Sequence, residues 1–413
     1  MSIREALVAV FIAFAVGLLA AGSLGRERDA VLATPGDPEA GPVLRWRVTS
    51  AFGTHLPALG ENAVEVADSL RIASGGRIDW TIDDPGEVVP AFAIVEAVRA
   101  SKIDAGYTWL GYDQGRLKSS VLFGAVPFGM TPWEYSAWWV RGGGSELAQE
   151  IYRPIGIEPI LCGIIGPETA GWFRQEIKVP EDVEGLKIRF AGLGGRALQK
   201  LGASVTMMPG GEIFQALEKG AIDATEFSLP EVDLRLGFDR VARFNYFPGW
   251  HQPHTAFHLV VNKESWDALP HSMQATIELA CGNGVHRNLA NAEAMQGGVI
   301  ERLVAGGVQT RTLSPALLDA LRKASDEVLE DEAALDADFA RVLAHQRAFR
   351  KEYAAWRRLA YPSPSLISDA NGSSDAEGSS DADGSSDAEG SSDPTQVPNS
   401  LGNASKTGAA HAN

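Results

Sequence analysis

The chain has 413 residues, 45% of them hydrophobic and 22% charged, which is ordinary globular material long enough for two domains. Its formal net charge is -17, with 53 acids against 36 bases, and this excludes a nucleic-acid footprint, which needs clustered Lys and Arg against phosphate. The two cysteines make no disulfide framework: Cys162 stands in an apolar strand-like run and Cys281 in a helical one, and both are expected to be separate buried thiols.

In chain order, Arg4 precedes an uncharged, mostly apolar run from Ala6 to Gly25, with small residues at Ala20, Ala21 and Gly22. The pattern over residues 1–25 is that of a signal peptide or an N-terminal membrane anchor, so the chain is expected in the periplasm, with residues 26–44 as a linker. Strand and helix signals then alternate. "LRWRVTSAF", "RIDWTID" and "IDAGYTW" read as strands, and "ALGENAVEVADSLRIASGG" and "VPAFAIVEAVRASK" as the helices between them. A second unit of the same kind is expected from "IEPILCGII" onward, through "GLKIRF", "GGRALQKLG", "SVTMM", "GGEIFQALEKG" and "IDATEF". The strand "TAFHLVVN" follows, then long helical patterns. The expected fold is α/β, with two lobes joined by crossing strands and long C-terminal helices: lobe I over 45–167 with part of 255–312, lobe II over 168–254, and helices over 313–362. Ser314 and Pro315 suit the N-cap and first position of one helix, and Phe339, Val342, Leu343, Phe349, Tyr353, Trp356 and Ala360 recur at helical spacing in the next. From Ser363 the chain carries eight acids and one lysine, so this stretch, 363–413, holds -7 of the net charge and reads as a disordered acidic tail without calcium-loop spacing.

The stretch "GLKIRFAGLGG", Gly185 to Gly195, ends a strand with Arg189 before a glycine turn. A dinucleotide cradle, from a loose G-x-G-x-x-A at Gly192, Gly194 and Ala197, would want an acid ending the next strand. Glu212 has the spacing but follows Pro209-Gly210-Gly211 and opens a helix, so a cofactor-dependent oxidoreductase is the weaker alternative. A guanidinium facing a cleft instead suits a carboxylate bidentately, while a surface arginine paired with a nearby acid is the plainer reading. Tyr107 and Trp109 end a first-lobe strand where they either line the cleft or fill the core. Trp172 and Trp250 flank the expected crossings and are placed to close over a ligand. His251, His254 and His258 lack helical metal spacing because Pro253 intervenes and "TAFHLVV" is a strand, and no Ser, His and Asp set with a nucleophile elbow appears.

The motifs "GWFRQEI", "GLKIRFAGLGG" with "LQKLGASV", "PGGEIFQALEKGAIDATEF", "YFPGWHQP" and "NKESWDALP" stand in this order. From Trp46 to about Tyr361 the chain resembles the extracytoplasmic solute-binding proteins of tripartite ATP-independent periplasmic (TRAP) transporters, in the dicarboxylate and α-keto-acid branch. The resemblance implies a receptor, not an enzyme, that closes on a small organic acid and hands it to membrane subunits driven by a sodium gradient. It implies that Arg189 pairs with the ligand carboxylate; Tyr107, Trp109, Glu168 and Trp250 are the other candidate substrate-binding residues, placed by their positions in the chain. It further implies that Glu226 and the carbonyl of Phe227, with Glu168 and Gln252, hold a calcium or sodium ion bridging to the substrate. Here the chain departs from the branch, with an acid at Glu168 where a glutamine is expected and a glutamine at Gln252 where an acid is expected. Some members of the branch dimerise through an extended C-terminal helix, so the aromatic stripe points to a homodimer. A ligand-sensing module is the third reading.

Overall fold

The structure, a computed structural model, describes residues 42–360; the expected leader, most of the linker and the acidic tail lie outside them. The strands are β1 (Leu44–Ser50), β2 (Ile78–Asp83), β3 (Ala105–Trp109), β4 (Ile157–Ile165), β5 (Gly171–Phe173), β6 (Lys187–Arg189), β7 (Ser204–Thr206), β8 (Ala224–Thr225), β9 (Phe244–Phe247), β10 (Thr255–Asn262) and β11 (Gln309–Thr312). The α-helices are α1 (Gly60–Ala73), α2 (Ile94–Arg99), α3 (Pro132–Arg141), α4 (Gly144–Tyr152), α5 (Gly192–Lys200), α6 (Gly210–Glu218), α7 (Pro230–Arg235), α8 (Lys263–Asp267), α9 (His271–Ala305), α10 (Pro315–Leu335) and α11 (Ala337–Ala360).

Two sheets organise these elements. The first has the order β2-β1-β3-β10-β4 and the second β11-β9-β5-β8-β6-β7. In β1 the alternation does what period two dictates: Trp46 and Val48 are buried, while Arg45 and Arg47 point outward and pair with Asp79 and Asp83 of the parallel neighbour β2, each at 2.6 Å. β4 and β10 are buried along their whole length and pair antiparallel at the side of the first sheet. β4 therefore belongs to the first sheet. Its one acid, Glu158, is satisfied by both Arg153 and Gln149.

The chain passes between the sheets three times. Residues 166–170 lead from β4 to β5, residues 248–254 lead from β9 back to β10, and the 35-residue α9, about 50 Å long, leads on to β11 in the second sheet. α9 packs on β4 and α1 of the first lobe and on α7 of the second. α10, capped by Ser314 with Pro315 at its first position, lies against α5 in the second lobe. α11 returns to the first lobe, where His345 accepts from the Trp138 indole and Gln346 donates to the Leu122 carbonyl. The apolar stripe accordingly divides. Phe339, Val342 and Leu343 are buried in their own subunit, whereas Trp356 and Leu359 are 60% and 87% exposed.

Cys162 of β4 and Cys281 of α9 form a disulfide, in place of the two separate thiols expected. They are 119 residues apart, and no local motif connects them; only the packing of α9 on β4 brings their Cα atoms to 4.1 Å. Closing a loop of this length removes a large share of the unfolded chain's freedom, worth about 3 to 5 kcal/mol. The Cys162→Ala/Cys281→Ala variant is expected to keep its far-UV spectrum and lose about that much stability in urea unfolding. A midpoint equal to that of the parent chain would show that the bond adds nothing.

Candidate functional site

The cleft between the sheets is built from strand ends. β6 and β8 are parallel neighbours in the register Arg189 to Thr225, so Arg189 and the next residue, Glu226, emerge side by side at the carboxyl ends of two parallel strands. The Glu226 amide donates to the Arg189 carbonyl at 3.1 Å. In return the Arg189 guanidinium donates to the carbonyl of Glu226 at 2.7 Å and, through Nε, to the carbonyl of Met208 at 3.2 Å. Its Nη1 is also 3.1 Å from Glu226 Oε2, and the Phe227 ring lies 5.3 Å from the guanidinium carbon. Arg189 is only 1% exposed. Of the two readings the residues left open, the structure contains elements of both: an acid partners the arginine, and the pair faces an enclosed cavity.

The two short crossings supply the other polar groups. They run side by side, the Glu168 amide donating to the Gln252 carbonyl at 3.2 Å. The Glu168 carboxylate accepts from Thr255 Oγ1 at 2.7 Å and from the Gln252 side-chain amide. Glu226 Oε1 accepts from the Ala191 amide, but Glu226 Oε2 accepts no hydrogen bond. His251 Nε2 stands 3.5 Å from Glu168 Oε2 and 3.9 Å from Glu226 Oε2. Glu168, Glu226 and His251 thus converge with all ligand atoms within 4.8 Å of one another, a donor set able to hold a cation.

Burial dominates the electrostatics. Desolvation raises the Glu168 carboxyl to about 7 against the opposing pull of Thr255, Gln252 and Arg189, and it lowers the His251 imidazole to about 4. Tyr112 lines the cavity near Arg189 and is raised to about 12, again chiefly by desolvation. The cavity itself measures about 20 Å³, little more than one water-sized group occupies.

Of the residues singled out in the sequence, Trp109, Glu168, Arg189, Glu226, Phe227 and Gln252 all line this cavity. Tyr107 does not. Its side chain lies in the first-lobe core, its hydroxyl accepting from Asn62 at 2.8 Å and its ring against Phe52 and Phe257. Trp250 is also displaced from the expected role, stacking on Phe190 at 5.8 Å and Phe128 at 5.7 Å behind the crossing. The Trp172 indole donates to Asp233 instead of closing over the cleft. Sequence reasoning missed Phe52, Leu59, Tyr112, Thr255 and Phe257 on the cavity wall. Tyr112, three residues past Trp109, follows a strand end and was the most findable. His254 and His258 pack against Tyr135 and Trp139 in the first lobe, so of the three histidines His251 alone joins the carboxylates.

The glycine turn also has a structural explanation. Gly192 has φ +61°, and a Cβ there would meet the Trp109 ring at 3.0 Å, while one on Gly194 would meet Phe190 and His251. Gly192 lets the second lobe's backbone approach the first lobe's Trp109, and Gly194 lets it lie close to Phe190 and His251.

Residues 54–335 match the family model of bacterial extracellular solute-binding proteins, family 7. The chain belongs to this family. It is 35% identical over 318 residues, 77% of this chain and 87% of the relative, to the monocarboxylate 2-oxoacid-binding periplasmic protein of a Nostoc strain. A TRAP solute-binding protein from Bordetella bronchiseptica, crystallised as a mixed-occupancy dimer with copurified calcium and picolinate, superposes with a TM-score of 0.76 at 32% identity, covering 78% of this chain and 95% of that one. A Pseudoalteromonas atlantica member with bound sodium and pyruvate gives 0.74 at 33%, covering 77% and 97%. The two-lobe α/β architecture with long C-terminal helices is that of the family.

The raised Glu168 carboxyl has a consequence for stability. A folded value above the ordinary 4.5 means that the native state holds this proton more tightly than the unfolded chain does. The associated stability is fully present below about 4.5 and is lost as pH rises through about 7, some 3 kcal/mol in all. In chelator-treated protein, thermal midpoints are therefore expected to fall more steeply from about pH 5 to 7.5 in the parent chain than in Glu168→Gln. Parallel profiles for the two proteins would show that Glu168 ionises normally.

Proposed function

We propose that this chain is the receptor of a TRAP transporter for a small 2-oxo or 2-hydroxy monocarboxylate, captured as a cation-bridged complex and delivered to the transporter's membrane subunits. The observation that carries this reading is the charge content of the cavity. One buried guanidinium and the carboxyl groups of Glu168 and Glu226 line it; with Glu168 ionised, a ligand carboxylate makes three negative charges against one positive, which a closed site tolerates only with a cation. Glu226, Glu168 and the Gln252 amide offer oxygens of the kind that hold calcium or sodium, and Glu226 Oε2 accepts no hydrogen bond from the protein. A divalent ion neutralises the set, and sodium leaves it at -1. The 2-oxoacid specificity of the Nostoc relative and the pyruvate of the Pseudoalteromonas structure support the choice of acid. The protein binds and releases its solute without chemistry. The apolar leader-like segment and the disulfide support export to the periplasm, and no helix among the described residues is long and apolar enough to cross a membrane.

Calorimetric titration of pyruvate into chelator-stripped protein, with calcium or sodium restored, tests the reading. Binding is expected only when a cation is present, and undiminished affinity in the stripped protein would remove the bridge. Arg189→Met is expected to lose about 2 to 5 kcal/mol of pyruvate affinity, because it leaves carboxylates buried without their guanidinium. It should also unfold at a lower temperature, since Arg189 ties the Met208 and Glu226 carbonyls together. Near-parental affinity would sink the assignment of Arg189.

The exposed end of α11 supports a homodimer, as does the dimeric Bordetella relative. Because Phe339, Val342 and Leu343 belong to the subunit's own core, the contact is expected to involve only the later turns. Trp356→Glu with Leu359→Glu should convert a dimer to a monomer in light scattering without lowering pyruvate affinity. A monomeric parent chain at micromolar concentration would refute the dimer.

A further inference from the structure

A second cavity lies in the first lobe and shares no residue with the one in the cleft. It measures about 420 Å³, within the range of small-molecule sites, and is walled by α3, α4, β4 and α9. β4 ends its sheet, so the edge it turns away from β10 pairs with no strand, and residues 158–161 of β4 line the cavity. Trp139, Val140, Ile160, Leu161 and Val285 make the lining largely apolar. Gly282 keeps the α9 side open. A glycine inside a helix is destabilising relative to alanine, yet a Cβ here would meet nothing within 4 Å, so crowding does not account for it. The charged side chains of the lining are Glu158 and Glu278 alone. Glu158 is buried and accepts from Arg153 at 2.6 and 3.1 Å and from Gln149 at 3.0 Å. Glu278 accepts no hydrogen bond and makes no ion pair among the described residues, and partial burial, then the charge of Glu158, push its carboxyl above the ordinary value.

We propose that this cavity is a second ligand site, separate from the cleft, for a small organic ammonium compound with an apolar or aromatic body. The ammonium group pairs with Glu278, the one carboxylate of the lining without a partner, and the body covers the apolar wall. Trp139 adds an aromatic ring, which attracts a cation at its face. An organic acid does not suit the cavity, because two carboxylates line it and the Arg153 Nε and Nη2 donors are committed to Glu158. A peptide strand does not suit it either. Pro159 stands in the stretch of β4 that lines the cavity and has no N–H to donate to a ladder, which is how an open sheet edge is guarded against a further strand.

The test titrates the full-length chain with 2-phenylethylammonium, with 2-phenylethanol, which keeps the ring without the charge, and with ethylammonium, which keeps the charge without the ring. Saturable one-to-one binding is expected for 2-phenylethylammonium at millimolar concentration, with each of the other two weaker by about tenfold or more. Glu278→Gln should weaken the amine by about tenfold and bring it level with the alcohol. Gly282→Leu places a side chain in open space at the cavity wall and should abolish binding of all three without unfolding α9. Both variants are expected to bind pyruvate as the parent chain does, since neither residue lines the cleft. No saturable binding of 2-phenylethylammonium to the parent chain would overturn the site, as would equal affinity for the amine and the alcohol. Amine binding unchanged in both variants and displaced by pyruvate would place the amine in the cleft and overturn it too.

Discussion

The organisation of this molecule depends on holding Arg189 and Glu226 together out of water. A guanidinium and a carboxylate at 1% exposure each are stable only if nearly every donor and acceptor around them is committed, and here most of the commitments are to backbone. Arg189 reaches the carbonyls of Met208 and Glu226, and Glu226 takes the amide of Ala191. Parallel pairing of β6 and β8 makes this geometry cheap, because adjacent strand ends deliver both side chains to one point. The pair is electrically balanced alone. Adding Glu168 from the first crossing tips it to an excess of negative charge, and that excess gives the cavity its appetite for a cation.

The first lobe answers with shape more than charge. Phe52, Leu59, Trp109, Tyr112 and Phe257 form an apolar wall against the polar face of the second lobe. Trp109 reaches the glycine turn at Gly192, so closure of the cleft is a contact between an aromatic ring and a bare backbone. Excluding water in this way strengthens every electrostatic interaction inside, since the effective dielectric falls. The same exclusion penalises an uncompensated carboxylate, which is how selection of an acid and selection of its counterion become one event.

The mechanical frame is continuous with the site. The two short crossings carry Glu168, His251 and Gln252, and α9 forms the third link between lobes, anchored to β4 by the Cys162–Cys281 bond. α10 lies on the second lobe and α11 on the first, so the C-terminal helices span the same division. The crossings thus place Glu168, His251 and Gln252 where the two sheets meet.

What the residues determined by themselves follows from local periodicity and local chemistry. Alternation in β1, continuous burial in β10 and the Ser314-Pro315 start of α10 are properties of a few neighbouring residues, and so was the position of Arg189 at a strand end before a glycine turn. Arg189 and Glu226 were legible through family motifs, and Glu168 and Gln252 as positions where the chain departs from the branch. The failures share one cause. Local pattern says which way a side chain can face, but not what covers it, so Tyr107 was assigned to the cleft when Asn62 and Phe257 enclose it, and Trp250 when Phe190 and Phe128 do. The disulfide, the split of the α11 stripe into buried and exposed halves, and the meeting of His251 with Glu168 and Glu226 join residues that are distant in the chain or packed by its other lobe. Only the tertiary structure decided these, because proximity across long separations is set by how whole elements pack and leaves no trace in the spacing of the residues themselves.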